Sequence, residues 1–192
     1  MPAAAIDRSN VGRIAERIVA NELESLGWRV SDLNKDGLAA NADLIAAKDG
    51  LVRQIQVKGA SNKEGERWWF HYGYCTEEII EEKTPVFNRK SGFYIADFVV
   101  LVAVRSIKEY RCIVLPSAAA ESLAQHNMNL CYRTLTRKGE KRKPGKVWAS
   151  IVSAPREHDR TPEARKNMEE ERKLLLEHEG AWHLLLTPPA TP

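Results

Sequence analysis

Three polar residues with chemically useful side chains lie on a segment that otherwise has the pattern of two packed strands. In NADLIAAKDGLVRQIQVKGA, residues 41–60, they are Asp43, Gln56 and Lys58. Asp and Gln offer oxygen ligands that suit a hard divalent cation, and Lys offers a compact positive charge. The same residues are also common on the solvent face of a strand. The elements around them therefore decide between a site and a plain polar surface.

The surrounding pattern predicts a β-hairpin. Two runs with strand character, 42–48 and 51–59, are joined by Asp49-Gly50, a strong signal for a two-residue hairpin turn. Such a turn pairs Lys48 with Leu51, and this pairing fixes the register of the whole hairpin.

The register brings the polar residues together. Asp43 falls opposite Gln56, and residues paired in this way have Cβ atoms about 5 Å apart. Lys58 lies two residues further along the same face, whereas Ile55 and Val57 lie on the other face. We expect the three polar groups to converge at the end of the hairpin away from the turn.

A helix predicted over 9–27 supplies a fourth candidate. Its apolar residues have helical spacing and form one stripe, and Glu16 borders that stripe. Gly12, one turn earlier, would allow close approach of another backbone or a ligand. A carboxylate beside a buried face needs a partner, which a salt bridge at the helix margin would also provide.

The rest of the chain alternates strands and helices. Strands are expected over 28–33, 67–74, 95–104 and 110–116, short helices over 76–83 and 117–126, and a charged helix over 161–180. The segment 95–104 is apolar on both faces, which predicts a central strand. The order of elements predicts an α/β fold with a mixed sheet flanked by helices.

Glu16, Asp43 and Gln56-Val57-Lys58 together resemble the PD-(D/E)XK nuclease superfamily, which includes restriction endonucleases and archaeal Holliday-junction resolvases. That family has a Glu on the first helix, an Asp at the head of a strand, and (D/E)-x-K on the paired strand. Here Ala42 stands where many members have Pro, and the tripeptide is a Q-x-K variant. The resemblance covers about residues 9–126 and implies a restriction-endonuclease-like fold.

The resemblance implies a Mg²⁺-dependent nuclease that hydrolyses phosphodiester bonds, with DNA favoured over RNA and Mn²⁺ as a substitute metal. Asp43, Gln56, the carbonyl of Val57 and Glu16 would be metal ligands, and Lys58 would assist the attacking water or the phosphate. The alternative is a module of the same fold that binds nucleic acid or protein without hydrolysis. Gln56 in place of an acid keeps that alternative open.

Basic residues outside the hairpin are candidates for phosphate contacts. They are Lys63, Arg67, Arg89, Lys90, Arg137, Lys138, Lys141, Arg142 and Lys143. The last five lie in 136–146, which has no apolar periodicity and is expected to be an exposed loop or hairpin tip. It would either bind phosphates or form a solvated turn. The segment 67–74 mixes Arg with aromatic residues, as nucleic-acid stacking surfaces do, and alternation sends part of it to the core.

Composition sets the remaining bounds. The chain has 192 residues, a net charge of +3 and three widely spaced cysteines without a C-x-x-C pair, so neither a disulfide framework nor a zinc knuckle is indicated. No apolar run reaches the roughly 18 residues that span a membrane, and the expected location is cytoplasmic. We expect a nuclease-like core over 1–135 with an extension over 136–192. A homodimer is compatible with cleavage of two strands.

Overall fold

The computed structural model describes residues 10–33, 42–62, 67–80, 84–89, 96–133, 138–141, 143, 145–152 and 162–187. These contain three α-helices, α1 (Val11–Ser25), α2 (Ser117–Arg133) and α3 (Pro162–Glu177), and a 3-10 helix (Trp182–Leu186). The strands are β1 (Arg29–Asp32), β2 (Leu44–Lys48), β3 (Leu51–Ser61), β4 (Arg67–Ile80), β5 (Thr84–Arg89), β6 (Phe98–Ser106), β7 (Glu109–Pro116) and β8 (Lys146–Val152). No helix of the described ranges is long and apolar enough to cross a membrane.

The main sheet is mixed and has five strands in the order β1-β2-β3-β6-β7. β3 and β6 run parallel, and the other neighbouring pairs run antiparallel. All residues from Phe98 to Val104 of β6 are buried, as expected for a strand covered on both faces. The predicted α/β class and the central position of this strand are both confirmed.

Both faces of the main sheet are covered. On one face, α1 and the 3-10 helix pack on a set that includes Ile55, Val57, Val100, Val102 and Val114. On the other face, α2, α3 and a three-stranded sheet of order β5-β4-β8 pack on Val99, Leu101, Ile113 and Leu115. The alternation of side chains along β3 and β6 thus divides one hydrophobic core into two layers.

Three elements differ from the sequence predictions. The helix predicted over 76–83 is wrong, because residues 76–80 continue β4 and pair with β5, while 81–83 lie outside the described residues. Pro85 lies on β5, an edge strand of its sheet, and edge strands are where proline is tolerated within sheets. The other two differences are β5 and β8, unpredicted strands that both pair with β4. In each case pairing with another strand outweighs local propensity.

The C-terminal extension is tied into the core. The buried guanidinium of Arg53 donates Nε–H to the carbonyl of Leu185 at 2.8 Å and Nη2–H to that of Thr187 at 2.9 Å. Gly180 donates its N–H to the carbonyl of Cys112 on β7 at 2.9 Å. Residues of 136–192 therefore complete both layers: β8 and α3 on one face, and the 3-10 helix on the other.

Helix α1 is held close to β3 by a glycine. A Cβ built on Gly59 would lie 2.8 Å from Ala15 Cβ and 2.8 Å from the carbonyl oxygen of Val11. Only a residue without a side chain allows this approach. On β7, the Tyr110 hydroxyl donates to Glu22 at 2.6 Å. That hydrogen bond, together with burial, raises the pKa of Tyr110 to about 12.

The close approach predicted at Gly12 is found at Gly59 instead, since nothing lies within 4 Å of a Cβ on Gly12. Gly59→Ala should lower the free energy of unfolding by about 1–3 kcal/mol, because the methyl group would overlap α1. Gly12→Ala is the matched control and should leave it unchanged or raise it by up to about 1 kcal/mol. Urea denaturation followed by circular dichroism measures both, and equal stability of the two variants would contradict this packing.

Candidate active site

The hairpin has the predicted register. Leu44 pairs with Ile55 and Lys48 with Leu51, and the same register places Asp43, one residue before β2, beside Gln56. Asp49 and Gly50 form the turn with φ values of 50° and 79°, the left-handed conformations that a type I′ turn requires. The position of Asp43 relative to β3 thus follows from two turn residues.

Asp43 marks the point where β2 leaves β3. Its N–H donates to the carbonyl of Ile55 at 2.9 Å, and its Oδ2 accepts the backbone N–H of Val57 at 2.7 Å. In the continued ladder, the carbonyl of residue 42 would take that N–H. The carboxylate replaces it and is therefore held near the plane of the sheet, beside β3 and beyond the end of β2.

Gln56 and Lys58 share a face of β3, as predicted. Both are half-buried, and they pair with Val99 and Leu101 of β6 on the face towards the second sheet. Val57 is buried on the opposite face with α1. Within the described strands, β3 pairs from Gln56 onward with β6 alone, so these polar groups line an edge that β2 has left.

Glu16 lies on α1, in the layer that covers the opposite face of β3. Its side chain is half-buried. The preceding residue, Ala15, packs against Gly59, and Gly59 directly follows Lys58 on β3. Because α1 covers the face opposite to Gln56, a carboxylate from Glu16 would join the site around the edge of β3. The convergence of Glu16 with Asp43 stays a prediction.

A second carboxylate, which the sequence analysis missed, holds β3 from its other side. Asp97, one residue before β6, accepts the backbone N–H of Gln54 through Oδ2 at 2.8 Å, and its own N–H donates to the carbonyl of Gln54 at 2.8 Å. The sequence does carry a signal, since Ala-Asp precedes an apolar strand at both 42–43 and 96–97. The two alanines are buried in one small cluster. Both strands that flank β3 therefore begin with an aspartate bound to the β3 backbone.

The oxygen atoms beside β3 suit a hard cation that takes only a few of its ligands from protein. Within the described residues, no group of three or more His, Cys, Asp or Glu side chains is arranged to hold a metal. On the side of β3 that β2 leaves, the donors are instead the carboxylate of Asp43, the amide of Gln56 and the carbonyl of Val57. These are all oxygen donors, and Mg²⁺ takes few protein ligands and retains water for the rest. The chemistry of these donors is thus compatible with Mg²⁺ or Mn²⁺.

Cys112 is no alternative reactive centre. It is buried, and burial with the nearby charges of Glu22 and Glu179 raises its pKa to about 12. A thiol needs its thiolate form to act as a nucleophile, so this cysteine is inert near neutral pH.

The predicted phosphate contacts are spread over several elements. Arg67 is half-buried on β4, and Lys138, Lys141 and Lys143 are exposed beside the start of β8. For Arg89 on β5 only the backbone is described. Four others lie outside the described residues: Lys63, Lys90, Arg137 and Arg142.

The fold is similar to that of a known nuclease. The solved structure of the bacterial homing endonuclease I-Ssp6803I matches with a TM-score of 0.53 over 94% of this chain and 94% of that chain. The sequence identity is 16%, at which the likeness shows a shared fold. No protein-family model matches the sequence, and no curated protein matches it at a significant level.

The bond from Val57 to Asp43 has a measurable consequence for stability. Asp43→Ala leaves the Val57 N–H without its acceptor and should lower the free energy of unfolding by about 1–3 kcal/mol. Asp43→Asn keeps an oxygen in place and should cost clearly less. Urea denaturation of the two variants beside the parent measures the difference. Equal losses for Asn and Ala would mean that the oxygen acceptor contributes nothing.

Proposed function

We propose that this protein is a metal-dependent endonuclease that hydrolyses phosphodiester bonds in DNA. The observation that carries the proposal is the carboxylate of Asp43, held beside β3 by the Val57 N–H at 2.7 Å next to Gln56 and Lys58. A fixed carboxylate, an amide oxygen and a cation in one place are the groups that phosphodiester hydrolysis with a divalent metal requires.

The shared fold supports the same proposal by analogy. The resemblance of Glu16, Asp43 and Gln56-Val57-Lys58 to the PD-(D/E)XK motif implies a restriction-endonuclease-like fold, and the similar solved structure is that of an endonuclease. Because one fold hosts many functions, the fold raises the expectation of nuclease activity, and the argument for chemistry rests on the site.

Each site residue has a distinct proposed role. Asp43 and Gln56 hold the cation through side-chain oxygens, and the carbonyl of Val57 adds a backbone ligand. A bound divalent ion would supply Lewis-acid charge to the phosphate and lower the pKa of the attacking water. Lys58 orients that water or offsets the negative charge that develops on the phosphate. Glu16 completes the ligand set directly or through water.

Gln56 has a defined effect on metal affinity. A carboxylate here would add one formal negative charge, whereas the amide keeps an oxygen with lone pairs and no charge. Metal binding should therefore be weaker than in a site with three acids. We expect cleavage to require a relatively high Mg²⁺ concentration and to be stronger with Mn²⁺.

Four variants test the assignment. Asp43→Asn and Lys58→Ala should abolish metal-dependent cleavage, while Gln56→Glu should retain activity or lower the metal requirement. Asp97→Asn is the matched control, because it changes the other carboxylate that caps β3 and keeps its oxygen acceptor. The measurement is a Mg²⁺ and Mn²⁺ titration of cleavage on plasmid, single-stranded and branched DNA, with EDTA as the metal-free reference.

The same titration separates the two functional classes. Cleavage by Asp43→Asn and Lys58→Ala at the parental rate would remove these residues from the chemistry. A parent that is inert on every substrate but binds DNA in EDTA would favour the second candidate, a binding module of the same fold. The observation that favours this second candidate is Gln56, where the resembling family has an acid.

The exposed lysines between α2 and β8 are proposed to bind the DNA backbone. Each phosphate neutralised on duplex DNA contributes about 0.9 to the slope of log K against log salt. Replacing Lys138, Lys141 and Lys143 together by Ala should weaken binding to all sequences and reduce that slope by up to about 3. Lys166→Ala with Lys173→Ala is the control, since these lysines lie 3.9 Å from Glu170 and Glu177 on α3. Fluorescence anisotropy at several salt concentrations measures the slope, and an unchanged slope would make this segment a solvated turn.

A further inference from the structure

The outer face of the β5-β4-β8 sheet presents two large aromatic side chains to solvent. Along β4, Trp68, Phe70 and Tyr72 point inward and are buried in the core. Trp69 and Tyr74 lie on the opposite face, with 51% and 50% of their surface exposed. Aromatic rings with an exposed face are the groups on which nucleic-acid bases stack.

Neighbouring side chains support both rings. The guanidinium of Arg67 lies 5.1 Å from the centroid of the Trp69 ring, a cation–π contact. The ring of His71 meets that of Tyr74 edge-on, at 5.2 Å between centroids and 81° between planes. A bulge between His71 and Gly73 shifts the alternation and turns Tyr74 outward. The two rings are therefore supported platforms on a strand.

A cationic segment begins beside the second platform. Cys75 donates its N–H to the carbonyl of Gly145 at 2.8 Å, and Tyr74 pairs with Lys146 in the register of β4 and β8. The chain before Gly145 carries Lys138, Lys141 and Lys143, which are exposed. An aromatic surface and a positively charged segment thus share one edge of the molecule.

We propose that this face binds single-stranded DNA, with unpaired bases stacked on Trp69 and Tyr74 and phosphates bound by the neighbouring lysines. The flat, polarisable faces of the bases match the aromatic rings, and the negative charge of the DNA backbone matches the lysines. Trp69 and Tyr74 pair with Ser150 and Lys146, four residues apart on β8, so the two platforms lie about 13 Å apart along the sheet, against about 3.4 Å between stacked nucleotides. They would therefore hold bases that are not stacked on each other, as in an unpaired or branched segment.

The inference deepens the proposed function by naming DNA with unpaired bases as the substrate class. The buried layer of Phe70 and Tyr72 separates this face from the main sheet, so the platforms would contribute binding and not chemistry. Loss of a platform should raise KM and leave kcat unchanged, since only binding of the substrate is weakened.

The test measures binding in EDTA, where cleavage plays no part. The probes are a fluorescein-labelled 20-nucleotide single strand, the matching duplex, and a 20-nucleotide abasic strand with the same number of phosphates. Trp69→Ala with Tyr74→Ala should weaken binding to the single strand by at least about fivefold and leave the abasic strand and the salt slope unchanged. A second double variant, with Trp69→Phe in place of Trp69→Ala, should bind the single strand more tightly than the first, because it keeps a ring at position 69.

The control variant is Leu176→Ala, which removes an apolar side chain of α3 that is 48% exposed. This variant should bind all probes like the parent. An equal loss on the abasic strand, or unchanged binding to the base-bearing strand, would overturn the proposal. Because binding in EDTA is measured without cleavage, a protein that stacks bases but does not cleave would refute only the nuclease function. Circular dichroism of every variant establishes that the sheet is intact.

Discussion

The backbone hydrogen bonds of β3 determine how the candidate site is built. This strand has an antiparallel partner along its first half and a parallel partner along its second half. Where the partners change, backbone N–H groups lose the carbonyls of a regular ladder, and leaving them unbonded would be costly. Asp43 and Asp97 accept the N–H groups of Val57 and Gln54 at this point. The change of partner thus fixes two carboxylates beside one strand before any catalytic requirement is considered.

Features set by neighbouring residues could be predicted from the sequence. The turn at Asp49-Gly50 fixes the hairpin register, and the apolar alternation assigns faces to Gln56 and Lys58. The uninterrupted apolar run in β6 likewise predicts its central position. In each case one local rule leaves a single geometry compatible with burial.

Features set by contacts between different elements could not be predicted in this way. Residues 76–80 contain two glutamates that suit a helix, yet pairing with β5 makes them a strand. The rotation and depth of α1 depend on Gly59, a strand residue more than 40 positions away. The helical spacing of apolar residues shows which stripe of α1 is buried. It does not show which edge of the sheet lies closest to Glu16, at the border of that stripe. Asp97 could have been found from its likeness to the Ala-Asp start at Asp43, since the two strand starts share a physical role.

The negative charge of Asp43, at the point where β3 stops pairing with β2, offers a reason for an amide at position 56. Asp43 lies opposite this position, at a cross-strand spacing of about 5 Å. Two unit negative charges at that distance repel by about 3 kcal/mol at an effective dielectric constant of 20. A carboxylate at position 56 would place this repulsion on the residue that also terminates the β2–β3 ladder. An amide removes this repulsion and, in the proposed metal site, would lower the attraction for a cation for the same reason. Under that proposal, one side chain sets the stability of the strand junction against the affinity for metal.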